Sequence, residues 1–469
     1  MIVPRIIQVA MREFKQKMTE LSRSWDMEHL TAELAGAVGK DLKQALTGAG
    51  QAAYRAFLES YDLAEPTLEV EGRVVRWKCV SEKTFLTGFG LMTLGRHLYQ
   101  ADAGGECYVP LDSFWGMAGE FATEEVREAV LFSVAHVTPE ETEQLLAKCA
   151  WFHPSATAIK NILHDVGDFV EAHAEELDRA LRAEETVPEG TRILAASLDG
   201  ANVRLREPGA KRGRPGERPG IDEPEGRATA YKNAMVGSVS FYGDVPKDEQ
   251  CPERLASRYV ARMPEEKAST VKRQFEAELA AAETQGGPKG VKVLLLDGAR
   301  GLWTYVEENE RFDDYEKLID YFHTTEHLSK AAEALFGKAS PDAHAWYHQY
   351  RVKLLDEDDA AQAILRSITY YGNVRKLPAS RRKALAQERT FFRRNRGRMT
   401  YSAFRRRGLP IGNGPVEAAC KTIVKTRLCR SGMRWSREGG NRVLRLRSVV
   451  KSGRWERFWS HYLRLRRPA

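Results

Sequence analysis

The sequence lacks long hydrophobic runs, since none of eighteen or more apolar residues occurs in its 469 positions. A helix that crosses a bilayer needs about 20 such residues, so no membrane-spanning segment is predicted. The opening residues, from Met1 to Ile7, are interrupted by Pro4 and Arg5 and do not form a secretory signal. We therefore expect a cytoplasmic protein.

Cysteine is scarce, and other signatures are missing. The six cysteines form no Cys-x-x-Cys pair, so structural zinc has little support and reduced thiols are expected. No G-x-x-x-x-G-K-[ST] loop occurs, and residues 286–290 do not fit it, so no nucleotide cofactor is predicted. The absence of a G-x-S-x-G elbow weakens any assignment as an acyl-transfer hydrolase.

The basic residues are unevenly distributed along the chain. Residues 393 to 469 contain 22 Lys and Arg but only three Glu, so this stretch carries +19 whereas the rest carries −12. A basic excess this concentrated favours a polyanionic partner, most often nucleic acid. A solvated basic surface or an acidic protein partner would explain it equally simply.

The N-terminal part combines helical and strand-like segments. Residues 13 to 63 favour helix, and the segments up to Val109 and Pro110 indicate β-hairpins. The pattern turns helical from Thr123, with good helix starts at Thr138 and Pro154. Two helices joined by a short segment fit a helix-turn-helix that binds DNA, and they fit equally a helical hairpin that only packs.

Each of two apolar segments is followed by an Asp-Gly pair. Val291 to Leu296 is followed by Asp297, and Arg192 to Leu198 is followed by Asp199. Unbroken apolar runs of this length predict buried strands, so both aspartates are expected where a strand leaves the core. Two such strands predict two acids presented side by side. Asp-Gly is also a common turn, so each pair alone is weak evidence.

Between these segments lies a basic loop, and after them a long helical region. Lys211, Arg212 and Arg214 could hold phosphates or belong to a solvated linker. Residues 228 to 242 favour strand, 252 to 284 helix, and 313 to 405 almost wholly helix. This order predicts a mixed α/β fold.

A third acid follows the helical region. After Gly412-Asn413-Gly414, Pro415 is well placed to begin a helix with Glu417 in its first turn. Lys421 and Lys425 follow at four-residue steps and are expected on the same face. Three carboxylates make an oxygen-rich site suited to Mg²⁺ or Mn²⁺, and two such ions can serve phosphodiester displacement.

A competing motif overlaps the helical region. His323-Thr324-Thr325-Glu326-His327 fits H-x-x-E-H, in which two histidines bind zinc and the glutamate acts as base in a peptidase. That assignment leaves both Asp-Gly segments and the basic C-terminal part unexplained. A helix face whose histidines only pack is the simpler alternative.

Together these residues resemble the ISKra family of bacterial insertion-sequence transposases. The resemblance runs over about residues 190 to 460. It rests on these segments: Ser197-Leu198-Asp199-Gly200; Leu296-Asp297-Gly298-Ala299 with Trp303; Asp320-Tyr321-Phe322-His323 continuing to Leu328; Gly412-Asn413-Gly414-Pro415-Val416-Glu417; and Ser431-Gly432-Met433-Arg434-Trp435.

The resemblance implies an RNase H-like core that cuts and joins DNA strands with two Mg²⁺ ions. Asp199, Asp297 and Glu417 would be the catalytic and metal-binding acids, and His323 would lie close to them. The partners would be DNA at element ends and targets, bound by a homo-oligomer. Candidate DNA contacts are the basic residues Lys421, Lys425, Arg427, Arg430, Arg434, Lys211, Arg212 and Arg214. A catalytically inert DNA-binding regulator of the same fold is the main alternative, ahead of the zinc peptidase.

The sequence patterns and the resemblance together predict a division of the chain into five parts. Residues 1–115 would form a helical and β-rich module, 116–187 a helical region, 188–312 the first part of the core, 313–405 a helical insertion and 406–469 the last core helix with the basic tail. Relatives tend to carry paired cysteines in the β-rich module, whereas only Cys79 and Cys107 stand nearby here. Zinc in that module is therefore doubtful.

Overall fold

A computed structural model describes residues 2–25, 29–70, 72–102, 104–206, 231–285 and 290–466. Their contacts divide the chain into two compact units, residues 1–172 with 462–469 and residues 173–461. The three candidate acids, Asp199, Asp297 and Glu417, all belong to the second unit. The finer five-part division stays a prediction.

The first unit contains helices around a small antiparallel sheet. Its sheet has the strand order β1-β2-β3, and Phe85, Met92 and Leu94 of its strands are fully buried. The strands are β1 (Thr67–Val70), β2 (Arg73–Thr87) and β3 (Gly90–Gln100). The helices are α1 (Ile2–Leu21), α2 (Ala32–Glu59), α3 (Pro110–Phe114), α4 (Glu124–His136), α5 (Pro139–Cys149) and α6 (Ala156–Ala172).

The expected start of α5 is found at Thr138. Its side chain accepts a hydrogen bond from the Glu141 backbone N–H, and the Glu141 side chain bonds back to the Thr138 N–H. This reciprocal capping satisfies two amides that the first helical turn leaves free. Helices α5 and α6 thus occur where a helix-turn-helix was predicted, but contact with DNA stays a prediction. Cys79 and Cys107 are exposed free thiols.

The second unit is built on a five-stranded mixed sheet. The strands are β4 (Ile193–Arg204), β5 (Tyr231–Tyr242), β6 (Arg254–Arg262), β7 (Val291–Leu296) and β8 (Glu316–Ile319). The order is β6-β5-β4-β7-β8. Strands β6, β5 and β4 pair antiparallel, whereas β4, β7 and β8 pair parallel. This arrangement confirms the predicted mixed α/β class.

Helices cover this sheet and extend beyond it. They are α7 (Ala174–Ala183), α8 (Ser269–Thr284), α9 (Arg300–Glu307), α10 (Tyr321–Phe336), α11 (Pro341–Asp356), α12 (Ala360–Val374), α13 (Ala379–Asn395), α14 (Tyr401–Arg406), α15 (Gly414–Ala419), α16 (Thr426–Leu428) and α17 (Arg437–Lys451). The last helix, α18 (Trp455–Arg466), begins in residues of the second unit and ends in residues of the first. A π-helical turn, Cys420–Lys425, joins α15 to α16. Within the described ranges no helix is both long and apolar enough to cross a membrane.

Three segments differ from the sequence-based expectation. The stretch 252–284 contains strand β6 before helix α8, and 313–405 contains strand β8 before its helices. Strand β4 does not end at Asp199 but continues to Arg204. The apolar side chains of Ala201 and Val203 alternate with more exposed neighbours, as they do in a strand with one buried face. The expectation that Asp199 ends its strand was therefore wrong.

Candidate active site

Asp199 and Asp297 are brought together by parallel strands. In the register of β4 and β7, Leu198 is opposite Leu296, so the next residues along the two strands are the two aspartates. Both side chains are half-buried. The negative charge of Asp297 contributes to raising the pKa of Asp199, which places the two carboxylates in one electrostatic environment. The predicted pair of neighbouring acids is thus present.

The environment of Asp199 raises its pKa above the ordinary aspartate value. Burial is the largest cause, and the charge of Asp297 adds to it. Three groups oppose the shift: the backbone N–H of Gly200, which donates to Asp199 Oδ1 at 2.6 Å, the Cys420 thiol and the ammonium of Lys425. Asp199 therefore holds its proton to a higher pH than a solvated aspartate does.

Asp297 is oriented by the turn that follows β7. The backbone N–H of Ala299 donates to Asp297 Oδ1 at 2.9 Å, and the indole N–H of Trp303 donates to the Asp297 carbonyl at 2.7 Å. The indole belongs to α9 and is almost fully buried. The backbone at Asp297 is therefore fixed by the helix that follows it.

Gly298 lets two side chains approach the backbone next to Asp297. A Cβ atom at this position would lie 2.6 Å from the ring of Phe391 and 3.0 Å from His323 Nε2. Real Cβ atoms essentially never come as close as the first of these distances. The glycine of the Asp-Gly pair is thus required by close packing of α10 and α13 against this turn.

His323 lies beside Asp297 in the first turn of α10. Burial lowers the pKa of the imidazole, and the neighbouring His327 lowers it further, while Asp297, Glu326 and Asp320 oppose the shift. The His323 backbone N–H donates to Asp320 Oδ1 at 2.6 Å, so Asp320 is the N-cap of α10. The lowered pKa favours the uncharged ring at neutral pH.

Asp320 connects the sheet to the segment that carries the third acid. Its side chain is fully buried, and its own backbone N–H donates to the carbonyl of Leu296 at 2.8 Å. Its second carboxylate oxygen, Oδ2, accepts a 2.7 Å hydrogen bond from the backbone N–H of Asn413. The next residue, Tyr321, donates its N–H to the carbonyl of Ile411 at 3.0 Å.

Asn413 extends this connection to Glu417. In the amide orientation that satisfies both carboxylates, Asn413 Nδ2 lies 3.0 Å from Asp320 Oδ2 and 2.8 Å from Glu417 Oε1. The Asn413 side chain is buried, and Glu417 is half-buried in the first turn of α15, with Pro415 at the helix start. Asp320, Asn413 and Glu417 are thus hydrogen-bonded in series. The sequence pattern alone does not predict this role for Asn413.

Cys420 links Glu417 to Asp199. Its buried thiol is hydrogen-bonded to Asp199, and the carboxylate of Glu417, one helical turn earlier, also acts on it. Burial raises the pKa of the thiol, and the charge of Asp199 raises it further. The thiol is therefore protonated and is a donor to Asp199. The spacing Glu-x-x-Cys on one helical face was the available signal, and sequence reasoning did not use it.

The predicted basic residues do not all reach the surface. Lys421, Lys425, Arg430 and Arg434 are exposed. Arg427 is only 1% exposed and packs over the ring of Trp435 at 5.2 Å, so the prediction that it contacts DNA was wrong. The π-helical turn after α15 contains more residues than an α-helical turn. The residues that follow it therefore do not return to the same face of the helix every four positions. Lys211, Arg212 and Arg214 lie outside the described residues.

Part of the basic excess is used inside the protein. Arg454 is buried and forms ion pairs at 2.6 Å with both Glu185 and Glu278. Arg258 also pairs with Glu185, at 3.2 Å. Arg447 is buried too, and its Nε donates to the carbonyl of Ile423 at 2.7 Å. The charge of the C-terminal stretch therefore overstates what is available to a polyanion.

The two histidines of the H-x-x-E-H motif lie side by side, with ring centroids 4.9 Å apart, and each has further neighbours. His327 Nδ1 is 2.5 Å from Glu388 Oε2, and its ring stacks on Phe391 with centroids 3.6 Å apart. His323 also lies near the Phe391 ring, at 6.0 Å between centroids, and it faces Gly298 and Asp297. This arrangement agrees with packing roles for the helix face and gives no support to a zinc peptidase.

The donor chemistry of the three acids suits a hard divalent cation. Carboxylate oxygens are the ligands that Mg²⁺ and Mn²⁺ prefer, and a cation between Asp199 and Asp297 would relieve their mutual repulsion. Throughout the described part of the chain, no group of three or more His, Cys, Asp or Glu side chains is close enough to hold a metal. Asp199, Asp297 and Glu417 thus share one neighbourhood without forming a closed ligand set here.

Comparison with known proteins adds little to this picture. No protein-family model matches the chain, and no match was found among curated proteins. Among solved structures the chain is similar to a Drosophila P element transposase strand transfer complex, with 13% identity, a TM-score of 0.23 and coverage of 72% of this chain and 81% of that one. A score this low does not establish a common fold.

Proposed function

We propose that this protein is a DNA transposase that cleaves DNA strands and joins them to a target with a metal-dependent Asp-Asp-Glu site. The observation that carries the proposal is that Asp199, Asp297 and Glu417, which are far apart in the sequence, share one neighbourhood in the fold. The resemblance of the surrounding motifs to the ISKra family supports the same assignment.

The sheet agrees with the RNase H-like core that the resemblance implies. Three antiparallel strands are followed by two parallel ones, with β4 at the centre carrying Asp199. Helices α10 to α14 then lie in the chain between Asp297 and Glu417, as the helical insertion of the proposed fold would. We infer that α15 returns Glu417 to the core.

Each acid would have a defined part in this chemistry. Asp199, Asp297 and Glu417 would hold Mg²⁺ or Mn²⁺, two ions per site, which would supply Lewis-acid activation of the attacking oxygen and stabilisation of the leaving oxygen. Cys420 donates a hydrogen bond to Asp199, and Asn413 holds Glu417. His323 is a neutral group packed beside Gly298 and Asp297.

Exposed basic residues next to the acids would bind the DNA backbone. Lys425 acts electrostatically on Asp199, so a phosphate bound by this ammonium would lie close to the carboxylates. Lys421, Arg430 and Arg434 are exposed on the same segment of chain. Such contacts position DNA without reading its sequence. Binding of two element ends would require a homo-oligomer on DNA.

The test is cleavage and joining of a supercoiled plasmid that carries the DNA flanking the gene, with and without Mg²⁺. Wild-type protein should nick the plasmid and join ends, whereas D199N, D297N and E417Q should bind it without cutting. DNA binding without cleavage by the wild type would favour the inert regulator instead. Zinc bound by His323 and His327, together with peptide cleavage, would favour the peptidase.

A further inference from the structure

Helix α13, in the helical region, is strongly basic, and the proposed function leaves this feature unexplained. Six of its 17 residues are Arg or Lys, and Glu388 is its one acid. Glu388 is buried and hydrogen-bonded to His327. The basic residues therefore have no acidic partner on their own helix.

Four arginines form one exposed row along this helix and the turn after it. Arg382, Arg389, Arg393 and Arg396 are separated by seven, four and three residues, spacings that keep them on one side of an α-helix. All four are exposed, whereas Leu385, Phe391 and Phe392 turn inward. We call these four residues the arginine row.

The arginine row differs from the other exposed arginines of this region. Several of those pair with carboxylates, such as Arg366 with Asp359 and Arg406 with Asp358. Among the residues that the structure describes, none of the four row arginines lies within 4.0 Å of a carboxylate oxygen. A surface that served only solubility would be expected to carry acidic and basic residues side by side.

The row lies on a different face of α13 from the residues that contact the turn after Asp297. Phe391 packs against Gly298, and Arg394 donates a 3.2 Å hydrogen bond to the Gly298 carbonyl, next to Asp297. Arg393 is two residues from Phe391, about 200° around the helix, so the row faces away from this contact. Arg382 and Arg389 of the row line a recess of about 130 Å³ together with Thr369 and Asn373 of α12.

The length of the row matches a stretch of DNA backbone. From Arg382 to Arg396 the helix rises by about 21 Å at 1.5 Å per residue. One DNA strand presents a phosphate about every 3.4 Å along the duplex axis, so this length corresponds to roughly six phosphates. Planar guanidinium groups bind phosphate oxygens in pairs, which makes arginine better suited than lysine to such contacts.

We propose that the arginine row of α13 is a binding surface for the DNA backbone, on the face of this helix that is turned away from Asp297. This inference rests on the proposed function, because it assumes that the substrate is DNA. The helical insertion then does more than connect Asp297 to Glu417, since it adds a phosphate-binding surface of its own. It contacts phosphates and reads no bases.

Binding of a 30-base-pair DNA duplex in EDTA, measured by fluorescence anisotropy from 50 to 300 mM salt, tests this surface without strand cleavage. R389Q/R393Q should weaken binding at least about tenfold and lower the slope of log K against log salt by about two. R389K/R393K, which keeps both charges, should retain most of the slope. R254Q/K338Q removes two charges from exposed positions off the row and should leave both quantities near wild type.

The outcomes separate this inference from the proposed function. An unchanged slope in R389Q/R393Q, with plasmid cleavage that still depends on Asp297, would overturn the arginine row and leave the transposase assignment standing. A wild type that neither binds nor cuts DNA would overturn both. If R389Q/R393Q lost binding to double-stranded RNA of the same length while its DNA binding stayed at the wild-type level, the assignment of this surface to DNA would also be overturned.

Discussion

The backbone N–H of Asn413 donates a 2.7 Å hydrogen bond to Asp320, a residue 93 positions earlier in the chain. Through this contact the first residue after β8 holds the loop that precedes Glu417. The two ends of the helical region are thereby joined at the sheet. The position of the third acid therefore depends on a buried aspartate that is not itself in the triad.

Removing the Asn413 side chain should impair catalysis without affecting DNA affinity. N413A deletes the amide that donates to Asp320 and Glu417, so Glu417 loses its fixed orientation. Groups that orient metal ligands typically contribute about 10- to 100-fold in activity or metal affinity. We expect a loss of this size in the cleavage rate. N441A removes an amide that accepts from Met263 near β6, at the opposite sheet edge, and should cleave normally.

Asp199 should make the metal-free protein less stable as the pH rises. Its folded pKa is raised above the ordinary value of 3.8, so between these two pKa values the folded state binds more protons than the unfolded chain. The free energy of unfolding therefore falls as pH increases through that interval. In EDTA, D199N should melt at a higher temperature than wild type at pH 7, and the difference should shrink towards pH 3. A lower melting temperature for D199N at pH 7 would contradict this.

Divalent cations should stabilise the wild type and not the acid variants. A ligand at 100 times its dissociation constant adds about 2.7 kcal/mol to the free energy of unfolding. We expect the melting temperature of wild type to rise with Mn²⁺ or Mg²⁺ concentration, and that of D199N and D297N to stay constant. Ca²⁺ is a useful comparison because it binds carboxylates without requiring octahedral geometry. Equal stabilisation of all three proteins would place the cations elsewhere.

The protonation of His323 should depend on Asp297. Burial and His327 lower its pKa below 6.5, while the charge of Asp297 raises it. Removing that charge in D297N should lower the pKa of His323 further. NMR titration of ring-labelled histidine, with H323Q to identify the signal, measures both values. A pKa of His323 that is insensitive to D297N would show that the two side chains do not interact.

Gly298 and Gly301 offer a matched pair of substitutions. An added methyl at Gly298 meets Phe391 and His323, whereas nothing lies within 4 Å of one at Gly301 in α9. Overpacking of this kind costs about 1–3 kcal/mol, while Gly→Ala in an exposed helix typically stabilises by about 0.4–1 kcal/mol. Denaturant unfolding should therefore show G298A destabilised and G301A unchanged or stabilised. The reverse order would contradict the packing at the turn.

Arg454 should be essential for folding rather than for DNA binding. R454M would leave the buried carboxylates of Glu185 and Glu278 without their shared partner, a change that usually costs about 3–5 kcal/mol. R430Q, at an exposed position, should change stability by less than about 0.5 kcal/mol. Chemical denaturation measures both. If R454M were as stable as wild type, the ion pairs of Arg454 with Glu185 and Glu278 would not stabilise the folded protein.

The sequence predicted the acids because strong local patterns mark them. The apolar runs before Asp199 and Asp297 define buried strands, and Pro415 defines the helix start before Glu417. Strand β6 was missed because its charged and apolar residues have no clear alternation, and its pairing with β5 is a long-range contact. A pattern cannot show such contacts.

The roles of Cys420, Asn413 and α13 also depend on tertiary contacts. Cys420 and Asn413 act through residues distant in sequence, and α13 acquires its position from the packing of Phe391 on Gly298. The burial of Arg427 and Arg454 could not be predicted from the sequence for the same reason. Charge counting treats every arginine as exposed, whereas both are enclosed by neighbouring side chains.

The most direct test of the central claim is the rate of Mg²⁺-dependent strand cleavage by D297N on the plasmid that carries the gene's flanking DNA. Loss of metal-ion catalysis is worth several kcal/mol, and 1.36 kcal/mol corresponds to a tenfold change in rate. We predict a rate at least about a thousandfold below that of wild type, with DNA binding retained. Cleavage by D297N at the wild-type rate would contradict the three-acid site.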